Sequence, residues 1–252
     1  MGALLITLPK DRRLVWYLAA EEYFARHIRT LRQGYGKDSE NTNKDIHGIF
    51  FTWVVSPTVI FGRHQVMANE VNIPFCQANN IAMYRRKSGG GCVYADRGNL
   101  MMSFIATNTH SEVVFQSFLD RVASVLNDMG YSAYKSGHND IMVGEYKVSG
   151  NACYALPTAT IVHGTMLVDV NFEALQMAIT PSAEKLAKHG VKSVRQRVMN
   201  LHDKNAELTT ERMQNHLMSA FGTHTRDLSA EEITAIDEIE ATYLDPLFIQ
   251  GK

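Results

Sequence analysis

The β-rich runs of this chain cluster together instead of alternating singly with helices, and that order constrains the fold more than any other feature. IFFTWVV (Ile49 to Val55) and TVIFG (Thr58 to Gly62) are separated only by Ser56-Pro57, which predicts two strands joined by a tight turn. IAMYR and NLMMSFIA supply strands on either side of a glycine run. DIMVGEYKVSG reads as a hairpin turned at Gly144-Glu145, and TATIVHGTMLVDV is a long β-branched run. Helical spacing appears first at Leu14, Tyr17, Leu18, Phe24, Ile28 and Leu31, before a polar loop from Gln33 to Asp45. It returns from Ser111 to Asp128, where Val114, Phe115, Phe118, Leu119, Val122, Val125 and Leu126 form one apolar stripe stopped at Gly130. After Asn171 the chain is helical and more polar, and Ser229-Ala-Glu-Glu232 is a capping-box start for a last helix to about Thr242. Strands without strict βαβ alternation predict an α+β domain, a mixed and largely antiparallel sheet flanked by helices, and not a doubly wound fold.

A length of 252 residues suits one domain over 1–252. The formal net charge of -1 gives no polyelectrolyte signal toward nucleic acid or an anionic membrane, so any binding of phosphate must be local. Cys76, Cys92 and Cys153 contain no CxxC pair, which suggests neither a disulfide framework nor a zinc site and fits a reducing, cytoplasmic setting. The apolar run in MGALLITLPK is too short for a signal peptide, and nothing later approaches the roughly 20 apolar residues of a membrane span.

Chemistry concentrates in three places. In RRKSGGGCVYAD, consecutive glycines let backbone N–H groups approach an oxyanion with no Cβ in the way, and Arg85 or Arg86 can add charge-assisted bonds. Lys87 precedes the glycines, so the run is neither GxxxxGK[ST] nor GxGxxG. Spacing alone leaves two readings open, a phosphate cradle and a glycine-rich hairpin turn with solvated arginines. In KVSG, Lys147 is either a surface residue of a hairpin or a charge aimed into a site. In HGTMLV, His163 is either a hydrogen-bonded core residue or a ligand contact.

The segments WYLAAEEYF, TVIFGRHQ, EVN, RRKSGGGCVYADRGNLMMSFI, GHNDI, KVSGNA, HGTMLVDV and SVRQRVMNL, in this order, resemble the lipoate-protein ligase A family of the biotin/lipoate ligase superfamily. The likeness covers most of the chain to about Leu201. It implies activation of lipoate by ATP, with Mg2+, to lipoyl-adenylate, then transfer to a lysine of an acceptor. The implied acceptors are lipoyl domains of 2-oxoacid dehydrogenase complexes or the glycine cleavage H protein. By motif, Lys147 is the catalytic lysine. The nucleotide falls to Arg86, Gly89, Gly90, Gly91, Cys92, Val93, Tyr94, Asn139, Asp140 and Lys147. Lipoate falls to Trp53, Arg86, Ser88, Lys147, Gly150 and His163, and Asp140 is the candidate metal contact.

The chain departs from the family at Ala95 (usually His), His138 (usually Arg) and Tyr17 (usually Asn). Its end, YLDPLFIQGK at 243–252, resembles the linker to a small C-terminal accessory domain that the family's full-length members carry. Three outcomes stay open: both steps on this chain, adenylation with a separate accessory polypeptide, or transfer from a pre-made acyl donor. Octanoyltransferases of the same superfamily form a thioester on cysteine, for which Cys153 and Cys92 are the candidates here, although an apolar-flanked cysteine is also an ordinary small core residue. Ser182 stands about where one octanoyltransferase branch has its nucleophile, and KVSG with SVRQRV leans toward the ligases. A non-catalytic module binding lipoate or its adenylate is the remaining class.

Overall fold

The structure, a computed structural model, describes residues 2–33, 46–107, 110–137, 139–179 and 197–251. The loop at 34–45, His138, Ser182 and the start of the SVRQRVMNL segment lie outside the described residues. Described in chain order, the strands are β1 (Gly2–Thr7), β2 (Ile46–Trp53), β3 (Thr58–Phe61), β4 (Ala82–Arg85), β5 (Val93–Ala95), β6 (Asn99–Ala106), β7 (Ala133–Lys135), β8 (Asp140–Val143), β9 (Tyr146–Leu156), β10 (Ala159–Leu167) and β11 (Gly222–Asp227). The helices are α1 (Leu14–Gln33), α2 (Met67–Glu70), α3 (Ile73–Ala78), α4 (Ser111–Asp128), α5 (Phe172–Ala178), α6 (Thr210–Phe221), α7 (Ala230–Leu244) and α8 (Pro246–Gln250).

Eight strands form one sheet in the order β11-β1-β2-β6-β10-β9-β8-β7, and β4-β3-β5 form a second, smaller sheet. Among the described strand pairs only β11-β1, β1-β2 and β3-β4 are parallel, so the expected mixed, largely antiparallel arrangement is what forms. The β8–β9 hairpin turns at Gly144, whose φ of 61° favours glycine. The Ser56-Pro57 turn joins two strands, as expected. It separates β2 from β3 but does not pair them, because β2 bonds β1 and β6 while β3 bonds β4 and β5. Turn chemistry fixes a change of direction; here the change carries the chain from one sheet into the other.

α4 buries every apolar residue of its predicted stripe, and α6 joins it to cover one face of the large sheet, where Phe50, Phe104, Phe118 and Phe221 pack together. Each such side chain removed from water contributes roughly 1.5–3 kcal/mol. The other face is covered by α1, which α7 backs: Trp16 donates from its indole N–H to Asp237 (2.6 Å), and Arg13 pairs with Glu240 (3.1 Å). Alternation along the central strands sends Trp53, Ser103, Ile161 and His163 to this α1 face and Phe104, Val162 and Met166 to the α4 face. α7 begins with the expected capping box, Ser229 with Glu232, and runs to Leu244. No helix among the described residues is long and apolar enough to cross a membrane.

Candidate functional site

The glycine run is not a hairpin turn, since β4 and β5 lie on opposite sides of β3 and do not pair with each other. Its arginines are not solvated. Arg85 donates through Nη1 to the carbonyls of Gly62 (3.2 Å), Arg63 (2.7 Å) and Gln65 (2.8 Å), and through Nε to that of Ile249 in α8 (3.1 Å). Arg86, only 6 % exposed, turns its guanidinium onto the run itself. Nη2 donates to the carbonyls of Gly89 (2.8 Å) and Gly91 (2.7 Å), Nε to Ser88 Oγ (3.1 Å), and Nη1 to Ile60 (3.3 Å). Burial lowers its pKa to about 10, so it remains charged at neutral pH.

Pulling carbonyls inward onto one cation leaves the opposite edge of the peptide groups for a ligand. Gly90 needs to be glycine for its φ of 94°, and Gly62 for the loop's approach, since a Cβ there would lie 2.2 Å from the Gly90 carbonyl oxygen. Gly89 is different: a Cβ there would meet nothing within 4 Å. The protein's own packing gives no reason for that glycine, whereas an anion brought against the loop would. Of the residues that follow, Cys92 and Val93 are half-buried, and the Tyr94 ring packs in the core with Val59 and Phe61. Burial, with nearby Asp96, pushes the Tyr94 phenol up to about 12, and its O–H is engaged by the Asp96 carboxylate, which leaves the backbone N–H to offer an anion.

Lys147 is half-buried, not a free surface residue. Its Nζ lies 2.8 Å from Asp140 Oδ1, although that buried oxygen makes no well-aligned hydrogen bond. β9 bulges between Lys147 and Ser149, a device that re-aims side chains. Gly150 then supplies the room: a Cβ there would stand 2.6 Å from Lys147 Nζ. Because the obstructing atom is the end of a flexible chain, Gly150→Ala is expected to displace the ammonium and not to unfold the protein. Activity falls about tenfold or more, as for loss of one charged hydrogen bond, while Tm measured by calorimetry changes little. The VMNL end of SVRQRVMNL holds the lysine's backbone, with Val198 bridged to Lys147 and Met199 N–H donating to its carbonyl (3.2 Å).

Asn139 interlocks with Asn151 of KVSGNA: Asn139 Nδ2 donates to the Asn151 carbonyl (2.8 Å), and Asn151 Nδ2 donates back to the Asn139 carbonyl (3.0 Å). The glycine of HGT follows from this, because a Cβ at Gly164 would sit 1.9 Å from Asn151 Oδ1. For a divalent cation the described residues offer no cluster of three or more His, Cys, Asp or Glu side chains. Asp140, its carboxylate already beside Lys147, fits as one contact to a cation carried mainly on phosphate oxygens.

His163 and Trp53 meet on the α1 face through residues that sequence reasoning missed. His163 Nδ1 is 2.9 Å from Glu21 Oε2 and Nε2 is 2.7 Å from Ser88 Oγ. Ser103 Oγ donates to Glu21 Oε1 (2.6 Å) and accepts from Trp53 Nε1 (3.0 Å). The Trp53 ring stacks on Tyr17 at 4.7 Å, so Tyr17 fills space beside the indole. Ala95 is fully buried against the same cluster. Thr165, one same-face step (roughly 7 Å) along β10 from His163, accepts from Gly150 N–H (3.2 Å), which places the Lys147–Gly150 segment beside the His163 cluster. A signal for Glu21 existed: it occupies the apolar stripe of α1 between Leu18 and Phe24, where periodicity asks for a hydrophobe.

Lys87 of the same run pairs with Glu22 (2.6 Å) and lies 4.3 Å over the Tyr243 ring of α7. Burial pushes the Glu22 carboxyl up, but Lys87 and Arg26 outweigh it and hold it below the usual value. A depressed folded pKa means stability that is present above the unfolded pKa and lost as pH falls through the folded one. Lys87→Met is therefore expected to move acid unfolding, followed by circular dichroism, to higher pH and to cost on the order of 1 kcal/mol near neutrality. Beyond Lys87, burial raises the Tyr154 and Tyr243 phenols, and Glu21 and Glu22 raise them further.

Cys153 faces the opposite way. It pairs with Val162 in register and packs into the α4-side core, and burial, with Glu112, raises its thiol pKa. Neither position nor ionisation makes it a nucleophile for the groups gathered on the α1 face. A cavity of about 350 Å³ near Phe104, Phe118, Arg121 and Phe221 lies on that α4 face as well, away from Lys147 and His163.

Residues 17–222 match the family model described as the lipoyl protein ligase A/B catalytic domain. The chain belongs to this family. It is 33% identical over 203 residues to lipoate-protein ligase LplJ of Bacillus subtilis, covering 80% of this chain and 57% of that one. Lipoate–protein ligase 1 of Staphylococcus aureus is 37% identical over 155 residues, covering 61% and 47%. This ligase-family chain thus spans about half the length of the curated relatives it matches. Among solved structures, the bi-partite lipoate protein ligase of Thermoplasma acidophilum superposes with a TM-score of 0.80 at 24% identity, covering 100% of this chain and 97% of that one. A lipoate-protein ligase A bound with ATP gives 0.79 at 22% identity, covering 100% and 99%. Both likenesses establish the ligase-like fold.

Proposed function

We propose that this chain activates lipoate with ATP and transfers the lipoyl group to a lysine of an acceptor lipoyl domain. The observation that carries the proposal is that two anion-binding elements attach to one face of β10: the glycine loop at His163 through Ser88, and the Lys147–Gly150 segment two residues on, at Thr165. The family and its ATP-bound and lipoate-bound relatives support the same reading.

Activation requires a carboxylate to approach a triphosphate, and both are anionic. The ammonium of Lys147 and the N–H groups of Gly89 to Val93 are fixed positive ends that offset this repulsion and stabilise charge on the α-phosphate as it becomes five-coordinate. The carboxylate oxygen bonds to α-phosphorus, the bond to the β-phosphate breaks, and pyrophosphate leaves. An acceptor lysine amine then attacks the acyl carbon and AMP departs, with the amine proton passing to solvent. Arg86 supports the nucleotide by shaping the loop, Asn139 and Asp140 border it, and Mg2+ supplies neutralising charge on the phosphates when bound. Trp53 and His163 border the apolar chain of lipoate.

A second polypeptide has one observation in its favour: the Thermoplasma relative, almost fully covered by this chain, is described as bi-partite. The test is to incubate the purified chain with lipoate, ATP, Mg2+ and an apo lipoyl domain, and to weigh the acceptor. One lipoyl group added by the chain alone supports the two-step reading. Transfer only from supplied lipoyl-adenylate assigns activation to another polypeptide, and transfer from neither donor defeats the proposal.

A further inference from the structure

We infer that Glu21 is a positioning residue that sets the glycine loop from beneath, acting through His163, Ser88 and Arg86. The inference extends the proposed nucleotide role of that loop. Glu21 is 0 % exposed, Ser88 1 % and His163 8 %, so the chain of contacts is sealed from solvent and its donors must be matched internally.

The matching has one solution that uses every proton. A carboxylate only accepts, so Glu21 takes one hydrogen bond from Ser103 O–H and one from His163 Nδ1–H. The neutral imidazole then presents Nε2 as an acceptor, and Ser88 O–H donates to it. Ser88 Oγ is left to accept from Arg86 Nε–H, which orients the guanidinium so that Nη2 reaches the carbonyls of Gly89 and Gly91. With a cationic imidazole, Ser88 Oγ would accept from both neighbours and its own proton would have no acceptor among these groups. At the other end, Ser103 accepts from Trp53, so one buried relay links the Trp53 indole to the loop.

The Ser88, His163 and Glu21 spacing is that of a nucleophile, base and orienting carboxylate. Burial decides against a nucleophile: Ser88 Oγ is closed to an incoming acyl group and already carries the Arg86 N–H. The experiment uses the full chain in four forms, wild type, Glu21→Gln, Ser88→Ala and the double variant. Long-range proton–nitrogen correlation spectra are expected to show wild-type His163 neutral and protonated at Nδ1. Both variants are expected to shift the amides of Gly89 to Gly91 and to weaken ATP binding about tenfold, with the double variant no worse than either alone. If Glu21→Gln fails to fold, the wild-type tautomer and Ser88→Ala carry the test. Protonation at Nε2 in the wild type, loop amides unmoved in the variants, or labelling of Ser88 by a fluorophosphonate would each overturn the inference. A wild type that binds no ATP, while its loop amides still respond to Glu21→Gln, defeats the nucleotide reading and upholds the relay.

Discussion

Lys147→Ala lowers adenylate formation by about 100- to 1,000-fold, the loss seen when one fixed charge partner of a transition state is removed. Its Tm stays within about 2–4 °C of wild type, because the pair with Asp140 is one-third exposed and contributes at most about 1 kcal/mol. The asymmetry follows from where the lysine is held. Its stem crosses a bulged strand end and its ammonium fills the Gly150 gap, so removing it leaves room for water and breaks no core contact. Pyrophosphate release and calorimetry on the same preparation check both halves. A melting temperature lowered by more than roughly 10 °C would instead make Lys147 structural.

Arg86→Ala has the second large effect, and it shows in both observables. The guanidinium, itself buried, ties together the carbonyls of Gly89, Gly91 and Ile60, and alanine leaves all three without their common donor. A cost of about 3 kcal/mol is expected, which corresponds to a Tm lowered by roughly 6–12 °C for a chain of this size. Nucleotide affinity, measured by calorimetric titration below the new Tm, falls about 100-fold because the N–H groups lose their common orientation. Arg86→Lys restores the charge but not the fork that spans three carbonyls, so it recovers less than a tenth of the affinity.

What the sequence disclosed depended on whether the information was local. α4 runs from Ser111 to Asp128 as its apolar stripe predicts, and the Gly144 turn and the Ser229 capping box are likewise written in adjacent residues. β1 and β11 pair with each other across more than two hundred residues, and GTHTRD has no apolar alternation to announce a strand. That edge exists through backbone hydrogen bonds, which side-chain patterns do not encode. The Ser56-Pro57 turn left pairing open for the converse reason: its local chemistry is the same whether the strands it joins pair or part.

The site divides in the same way. Glycines beside arginines pointed to an anion, and KVSG pointed to Lys147. That Arg86 faces the loop's carbonyls, that Gly150 makes room for Lys147, and that Cys153 lies on the far face of the sheet all depend on strand register. Glu21 was legible as a fault in the stripe of α1, since a carboxylate on a buried helix face requires partners, and His163 and Ser103 are those partners.

The central claim is that acyl chain and phosphate meet on the α1 face, between the glycine loop and Lys147. A crystal structure with a non-hydrolysable lipoyl-adenylate analogue tests it most directly. The expected result is a phosphoryl group within hydrogen-bond reach of Lys147 Nζ and of N–H groups from Gly89 to Val93, with the acyl chain beside Trp53 and His163. An analogue seated instead in the cavity by Phe104 and Phe221, or bound with its phosphoryl group away from both Lys147 and the loop, would contradict the account.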